Sequence, residues 1–215
     1  MWTYRFKGPS PESRPMTIGL PNTGRLMSEV LASCPSVLGQ FQGNRRLVAR
    51  IGDFRILLAR STDLPMLVTE AVCDAVVTGR DYVWEAGLGE VLHEAWNYGY
   101  QKNELCLIGR PGESYVTTDA LRVVSQYPNL ADKFVRPVYP NATVRPISGA
   151  AEMYLREGLA DVAVDAVMTG ETLADNGLVA ITSYLESYAA LYTLPGIADE
   201  TLSQIYDLLR IGTIS

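Results

Sequence analysis

Residues 158–178, GLADVAVDAVMTGETLADNGL, constrain the fold of this chain more than any other stretch. An apolar run is interrupted once, by Asp165. It then opens into Thr169-Gly170-Glu171-Thr172, and Gly177 closes a short segment. Apolar residues on both sides of Asp165 suit a buried strand, and T-G-x-T suits a tight turn into a helix. Such a turn presents backbone N–H groups, two hydroxyls and a helix N-terminus to an anion, which is what a phosphate needs. A carboxylate inside an apolar strand is costly unless it is paired or used, and Asp165 is placed to accept hydrogen bonds from sugar hydroxyls. Alone, a T-G-x-T string often marks only a strand-to-helix turn. The acid four residues before Thr169 turns the reading towards a phosphoribosyl site.

The rest of the chain continues this alternation. Strands are expected at 16–20, 46–51, 54–58, 74–78, 104–108, 121–124, 178–183 and 189–193, with a hairpin through Gly52-Asp53. Helices are expected at 26–33, 82–85, 130–134, 150–157 and 199–210. Another is expected at 64–72, with Thr62 or Asp63 as N-cap and Pro65 in the first turn. The pattern predicts an α/β fold with largely parallel sheets. One echo runs through it, because residues 74–79 and 165–170 share D-A-V-x-T-G. Either two similar buried strands end in similar turns, or the segments are equivalent parts of two lobes that meet at a cleft.

Composition narrows the class of partner. The 215 residues suffice for one large domain or two small ones with a proper core. A net charge of −6 argues against broad nucleic-acid binding, so a polyphosphate ligand requires the arginines to be gathered locally. Cys34, Cys73 and Cys106 show no C-x-x-C spacing and read as reduced, buried thiols with no zinc site. Residues 1–15 hold three prolines and no apolar core, so they read as a disordered leader rather than a signal peptide. No apolar run reaches the roughly 20 residues of a membrane helix, and the expected location is cytoplasmic.

An ordered series of motifs goes further. It comprises Leu20-Pro21-x-x-Gly24-Arg25-Leu26, Leu57-x-x-Arg60-x-x-Asp63-Leu64-Pro65 and Asp74-x-x-x-Thr78-Gly79-Arg80-Asp81. Tyr127-Pro128-Asn129-Leu130, Ser148-Gly149-x-x-Glu152 and the whole of 158–178 follow. From about residue 16 to 192 the chain resembles the short-form catalytic subunit of ATP phosphoribosyltransferase, the first enzyme of histidine biosynthesis. The resemblance implies a two-lobed fold like a type II periplasmic binding protein, with a cleft between the lobes. Lobe I is expected at 16–99 plus 179–215 and lobe II at 100–178, with crossings near 97–101 and 178–182. The implied reaction joins N1 of the ATP purine to C1 of phosphoribosyl pyrophosphate (PRPP), releasing pyrophosphate. Mg²⁺ accompanies the pyrophosphate, without a dedicated cluster of protein ligands. The resemblance also implies a homodimer and a regulatory partner related to histidyl-tRNA synthetase, since one C-terminal helix leaves no room for the long form's extra domain.

The same resemblance assigns roles. Thr169, Gly170, Glu171 and Thr172 would hold the 5-phosphate of PRPP. Asp165 would position the ribose hydroxyls, with Glu152 assisting through sugar or metal. The transition state separates an oxocarbenium-like ribose from pyrophosphate, so cations near the leaving group should contribute most to catalysis. Arg25 and Arg60 are the candidates, with Arg45 or Arg46 behind them. The acceptor side is assigned to Gly24, Asp63, Arg80, Tyr127 and Glu104. No general base is required, because purine N1 carries a lone pair, and His93 reads as a surface residue.

Departures from the family pattern gather on the acceptor side. Asn22-Thr23 precedes Gly24 where relatives carry lysine, and Gln101-Lys102-Asn103-Glu104-Leu105 replaces a G-x-C-R-L segment. Ala150 replaces a serine, Tyr154-Leu155 an Ala-Pro, and Ala190 a late arginine. Each lost charge-assisted hydrogen bond is worth roughly 1.5–3 kcal/mol. Three readings stay open: a divergent ATP phosphoribosyltransferase, a PRPP-dependent transferase with another acceptor, and a non-catalytic nucleotide-binding paralogue.

Overall fold

The computed structural model describes residues 14–41, 45–99, 101–115 and 120–209. The chain forms β1 (Met16–Pro21), α1 (Gly24–Ser33), α2 (Pro35–Phe41), β2 (Val48–Ile51), β3 (Phe54–Ala59), α3 (Leu64–Thr69), β4 (Ala75–Gly79), α4 (Arg80–Glu85) and β5 (His93–Asn97). It continues with β6 (Asn103–Gly109), β7 (Arg122–Ser125), α5 (Pro128–Val135), β8 (Thr143–Pro146), α6 (Ala151–Arg156) and β9 (Val162–Val167). Last come α7 (Glu171–Asp175), β10 (Val179–Ser187), β11 (Ala189–Thr193) and α8 (Asp199–Leu209). Most of the expected leader, residues 1–13, lies outside the described residues, as does Arg210. Arg14, expected in the leader, is instead tied to the fold by a 2.6 Å ion pair with Asp74.

Two sheets organise these elements. The first has the order β2-β3-β1-β4-β11-β5 and the second β10-β6-β9-β7-β8. Both are mixed. β1 runs parallel to β3 and β4, and β7 parallel to β8 and β9. The hairpin β2–β3 and the pairs β4–β11, β11–β5, β6–β9 and β6–β10 are antiparallel. The expectation of largely parallel sheets is corrected here: β2, β6 and β11 run against the other strands of their sheets, β2 because a two-residue hairpin joins only antiparallel strands.

The central strands are buried on both faces, which is why they read as unbroken apolar runs. Along β4, Ala75 and Val77 join one core with Ile18, Leu20 and Leu191, while Val76 joins another with Leu64 and Val83. Along β6, Leu105 and Leu107 pack with Val123 and Val162, and Cys106 and Ile108 with Val124 and Leu155. The side-chain period of two accounts for each split.

The chain passes between the sheets twice, between β5 and β6 and again at Tyr188. The first passage lies between Asn97 and Asn103, with Tyr100 outside the described residues. The second comes later than 178–182, because β10 stays paired with β6 from Val179 to Ser187. Residues expected in lobe I at 179–187 therefore belong to the second sheet. Helix α3 ends at Thr69 rather than at 72, since Ala71 takes φ 56, which a helix does not tolerate.

Candidate active site

A cleft of about 670 Å³ lies between the sheets and is lined from both. The first sheet contributes two turns at strand ends. One, after β1, starts α1 at Gly24, whose φ of 83 favours glycine, and places Thr23, Gly24, Arg25 and Leu26 on the wall. The other, after β3, brings Arg60, Ser61 and Thr62. The first turn of α1 holds no acidic side chain, so its open N–H groups and Arg25 form an anion-attracting surface. Arg25 Nη1 reaches Met168 Sδ of the second sheet at 2.9 Å, and thioether sulfur is only a weak acceptor. Among the described residues neither Arg25 nor Arg60 forms an ion pair.

From the second sheet come Asn103, Gln126, Ser148, Ala166 and Met168. Asp165 precedes Ala166 and is half-buried in β9. Its Oδ1 accepts the Ala166 N–H at 2.8 Å, and Gln126 Nε2 stands 3.3 and 3.4 Å from its two oxygens. Burial pushes its carboxyl above the ordinary value; the hydrogen bonds oppose this, and the charges of Glu152 and Asp81 add to it. Gly170 takes φ 71 as N-cap of α7. Thr169, Glu171 and Thr172 are exposed beside it, at the rim next to Met168 rather than on the cleft wall itself.

At the floor lies a network centred on Asp81. It is 3% exposed, and its oxygens accept from Tyr127 Oη at 2.7 Å and Ser187 Oγ at 2.9 Å. Burial pushes its carboxyl up, with these bonds opposing. Burial and the Asp81 charge likewise raise the Tyr127 hydroxyl, so it stays a donor.

The chain matches the HisG family, described as ATP phosphoribosyltransferase, over residues 60–211. It is 33% identical over 205 residues to an ATP phosphoribosyltransferase of Gemmatimonas aurantiaca, covering 89% of this chain and 70% of that one. The chain belongs to the ATP phosphoribosyltransferase family. A chain of the ATP phosphoribosyl transferase (HisG:HisZ) complex from Thermotoga maritima shares the fold, with a TM-score of 0.79 at 20% identity, covering 91% of this chain and 96% of that one. A histidine kinase sensor domain with similarity to periplasmic binding proteins superposes with a TM-score of 0.55 at 12% identity, covering 92% and 90%. The two-sheet architecture is thus of the periplasmic-binding-protein kind.

Against the residues expected for a member of this family, the cleft gathers Gly24, Arg25, Arg60 and Tyr127 on its wall. It leaves others off. Glu104 is exposed and register-paired with Glu186, on the opposite strand face from Asn103, so Asn103 and not Glu104 lines the cleft. Asp63 is the exposed N-cap of α3. Arg80 is not on the cleft wall and is engaged at the second passage: its Nη1 donates to Glu186 O at 3.2 Å and its guanidinium lies 5.6 Å from the Tyr188 ring centroid. Arg45 and Arg46 are exposed and away from the wall, Glu152 sits in the first turn of α6, and His93 is exposed on β5. Sequence reasoning missed Asp81, Gln126, Ser61 and Met168. Asp81 stood inside the quoted T-G-R-D motif, and a lone acid in the first helical turn after an apolar strand was the signal available. Among the described residues no group of three or more His, Cys, Asp or Glu is placed to hold a metal ion, and no helix is long and apolar enough to cross a membrane.

Proposed function

We propose that the chain transfers the phosphoribosyl group of PRPP to N1 of ATP within this cleft, releasing pyrophosphate. One observation carries the reading: Arg25 and Arg60, without a carboxylate partner among the described residues, face a cleft whose other sheet ends in Asp165 and the T-G-E-T turn. Thr169, Gly170, Glu171 and Thr172 would receive the 5-phosphate through N–H groups and hydroxyls. Asp165 would accept from the ribose hydroxyls, Gln126 holding its carboxylate in place. Arg25 and Arg60, with the N-terminus of α1, would neutralise pyrophosphate and triphosphate charge where it grows.

Magnesium suits the donor side. Mg²⁺ takes one or two carboxylates plus phosphate oxygens, and a divalent cation would relieve the burial and the Glu152 charge that hold the Asp165 carboxyl up. Asp165 and Glu152 would hold the ion, which neutralises the leaving pyrophosphate when bound. By analogy with the Thermotoga maritima HisG:HisZ complex we assign a HisZ-like partner, and from the family resemblance a short-form role in the cytoplasm, as a homodimer whose partner is related to histidyl-tRNA synthetase. A second reading, an acceptor other than ATP, is favoured by Thr23 and Asn103 on the cleft wall, where the family pattern has lysine and cysteine.

The test is pyrophosphate release from PRPP and Mg²⁺ with ATP or other purine acceptors. Release with ATP, rising when the partner is added and lost on chelation, is the expected result. Release only with another acceptor selects the second reading, and no release with any acceptor, while PRPP still binds, makes the chain a nucleotide-binding paralogue.

A further inference from the structure

The two sheets meet beside the cleft at a joint between α4 and α5. Tyr127, the N-cap residue of α5, has its hydroxyl committed to Asp81, and Pro128 carries no N–H. The next two donors, the N–H groups of Asn129 and Leu130, each reach one carboxylate oxygen of Glu85 at 2.9 Å. Asn129 Nδ2 donates back to the main-chain oxygen of Glu85 at 3.1 Å, one of the carbonyls left open where α4 ends. The C-terminus of α4 and the N-terminus of α5 thus cap each other, negative dipole end to positive. Asp81 and Glu85, one helical turn apart, share the face of α4 that does this.

The turn held by these two carboxylates carries part of the site. Ser125 Oγ accepts the Tyr127 N–H at 2.8 Å and donates to Val164 O at 2.6 Å. Between those pinned residues stands Gln126, which lines the cleft and reaches the Asp165 carboxylate. We propose that Glu85 is a positioning residue of the transfer site: by capping α5 from the other sheet it sets the 125–127 turn, and through Gln126 it orients Asp165. This rests on the reading of Asp165 as the ribose-binding acid.

The test is a double-mutant cycle. Glu85→Gln turns one acceptor into a donor facing an N–H, and Gln126→Ala removes the arm to Asp165. Each is expected to raise the KM for PRPP about five- to tenfold with kcat within about threefold, since a small misplacement weakens binding before it abolishes chemistry. The double variant is expected to be no worse than the more severe single one, and Glu85→Asp to be intermediate. A lowered Tm with KM unmoved, or effects that multiply, overturns the proposal. If Glu85→Gln does not fold, Asn129→Ala, which removes only the return bond, must still raise the KM about twofold, and an unchanged KM counts against the joint. Calorimetric titration with PRPP reads the same coupling without turnover. A wild-type chain that binds PRPP with this coupling yet releases no pyrophosphate overturns the activity alone. Binding unaltered by Glu85→Gln overturns the positioning role alone, and absent PRPP binding overturns both.

Discussion

Two segments spell D-A-V-x-T-G, and the fold uses them differently. In the first, Asp74 precedes β4, pairs with Arg14 at 2.6 Å and accepts the Thr17 N–H at 2.7 Å. Thr78 is fully buried with its hydroxyl on Ser61 O at 3.1 Å. In the second, Asp165 stands late in β9, and Thr169 lies past the strand end and is exposed. The letters match while the strands are offset: β4 spans Ala75–Gly79, but β9 ends at Val167. One acid therefore sits at the strand start and seals the fold, and the other sits near the strand end beside the cleft. In the first half, the acid at the cleft is Asp81, beyond the repeated letters. The two segments are equivalent in position only at their glycines, each the N-cap of the helix that follows, so local similarity does not carry a role across.

The sharpest way to break this comparison is to neutralise both acids. Asp165→Asn is expected to lower kcat/KM for pyrophosphate release about 100-fold, through two charge-assisted hydrogen bonds of about 1.5 kcal/mol each. Asp74→Asn should leave kcat/KM within about twofold and lower Tm by about 2–6 °C, from a loss of about 1–2 kcal/mol. Equal kinetic losses would mean that the echo is functional after all. Next in size, Arg25→Met and Arg60→Met should each lower kcat about tenfold or more while Tm holds, because each removes a cation with no carboxylate partner among the described residues.

A finer contrast is pH. Asp165 is raised above 3.8 by burial, so the folded state binds its proton more readily than the unfolded chain. Its contribution to stability is present in acid and is lost as pH rises from about 3.8 through the raised value. Asp161 is lowered below 3.8, chiefly by the hydrogen bond from Arg122, so its contribution is present above 3.8 and lost as pH falls through the lowered value. Urea denaturation should find Asp165→Asn at least as stable as wild type at pH 7, with the advantage shrinking towards pH 4. Asp161→Asn should be less stable at pH 7, with the deficit shrinking below about pH 4. The smallest effect expected is from His93→Gln, with kcat/KM unchanged in the same assay, since His93 is exposed on β5 away from the cleft wall.

Much of this was legible in the chain. The apolar runs at β1, β3, β4, β6, β7, β9 and β11 announced strands, and Gly170 and Pro65 marked helix starts, while α5 begins at Pro128, two residues before the expected start at 130. α2, β5 and β8 were not foreseen. His93–Asn97 is a largely exposed edge strand without an apolar stripe, Thr143–Pro146 is four residues with one half-buried, and α2 carries Pro35 and Gly39. In the site, Arg25, Arg60 and Tyr127 were identifiable because turns after strands carried them. Glu104 was misread because motif position says nothing about strand face, and a shift of one residue exchanges cleft for solvent.

By itself the sequence determined the family, the alternation of strands and helices, and the strand–turn–helix at 158–178, since each follows from local spacing and residue type. Only the tertiary structure decided that β10 remains with the second sheet, that Asp81 is the buried acid of the floor, and that Glu85 caps a helix belonging to the other sheet. Those outcomes depend on pairings between residues 44 to 106 positions apart. Burial, which sets the acidity of Asp81 and Asp165, comes into being only when the sheets close around them.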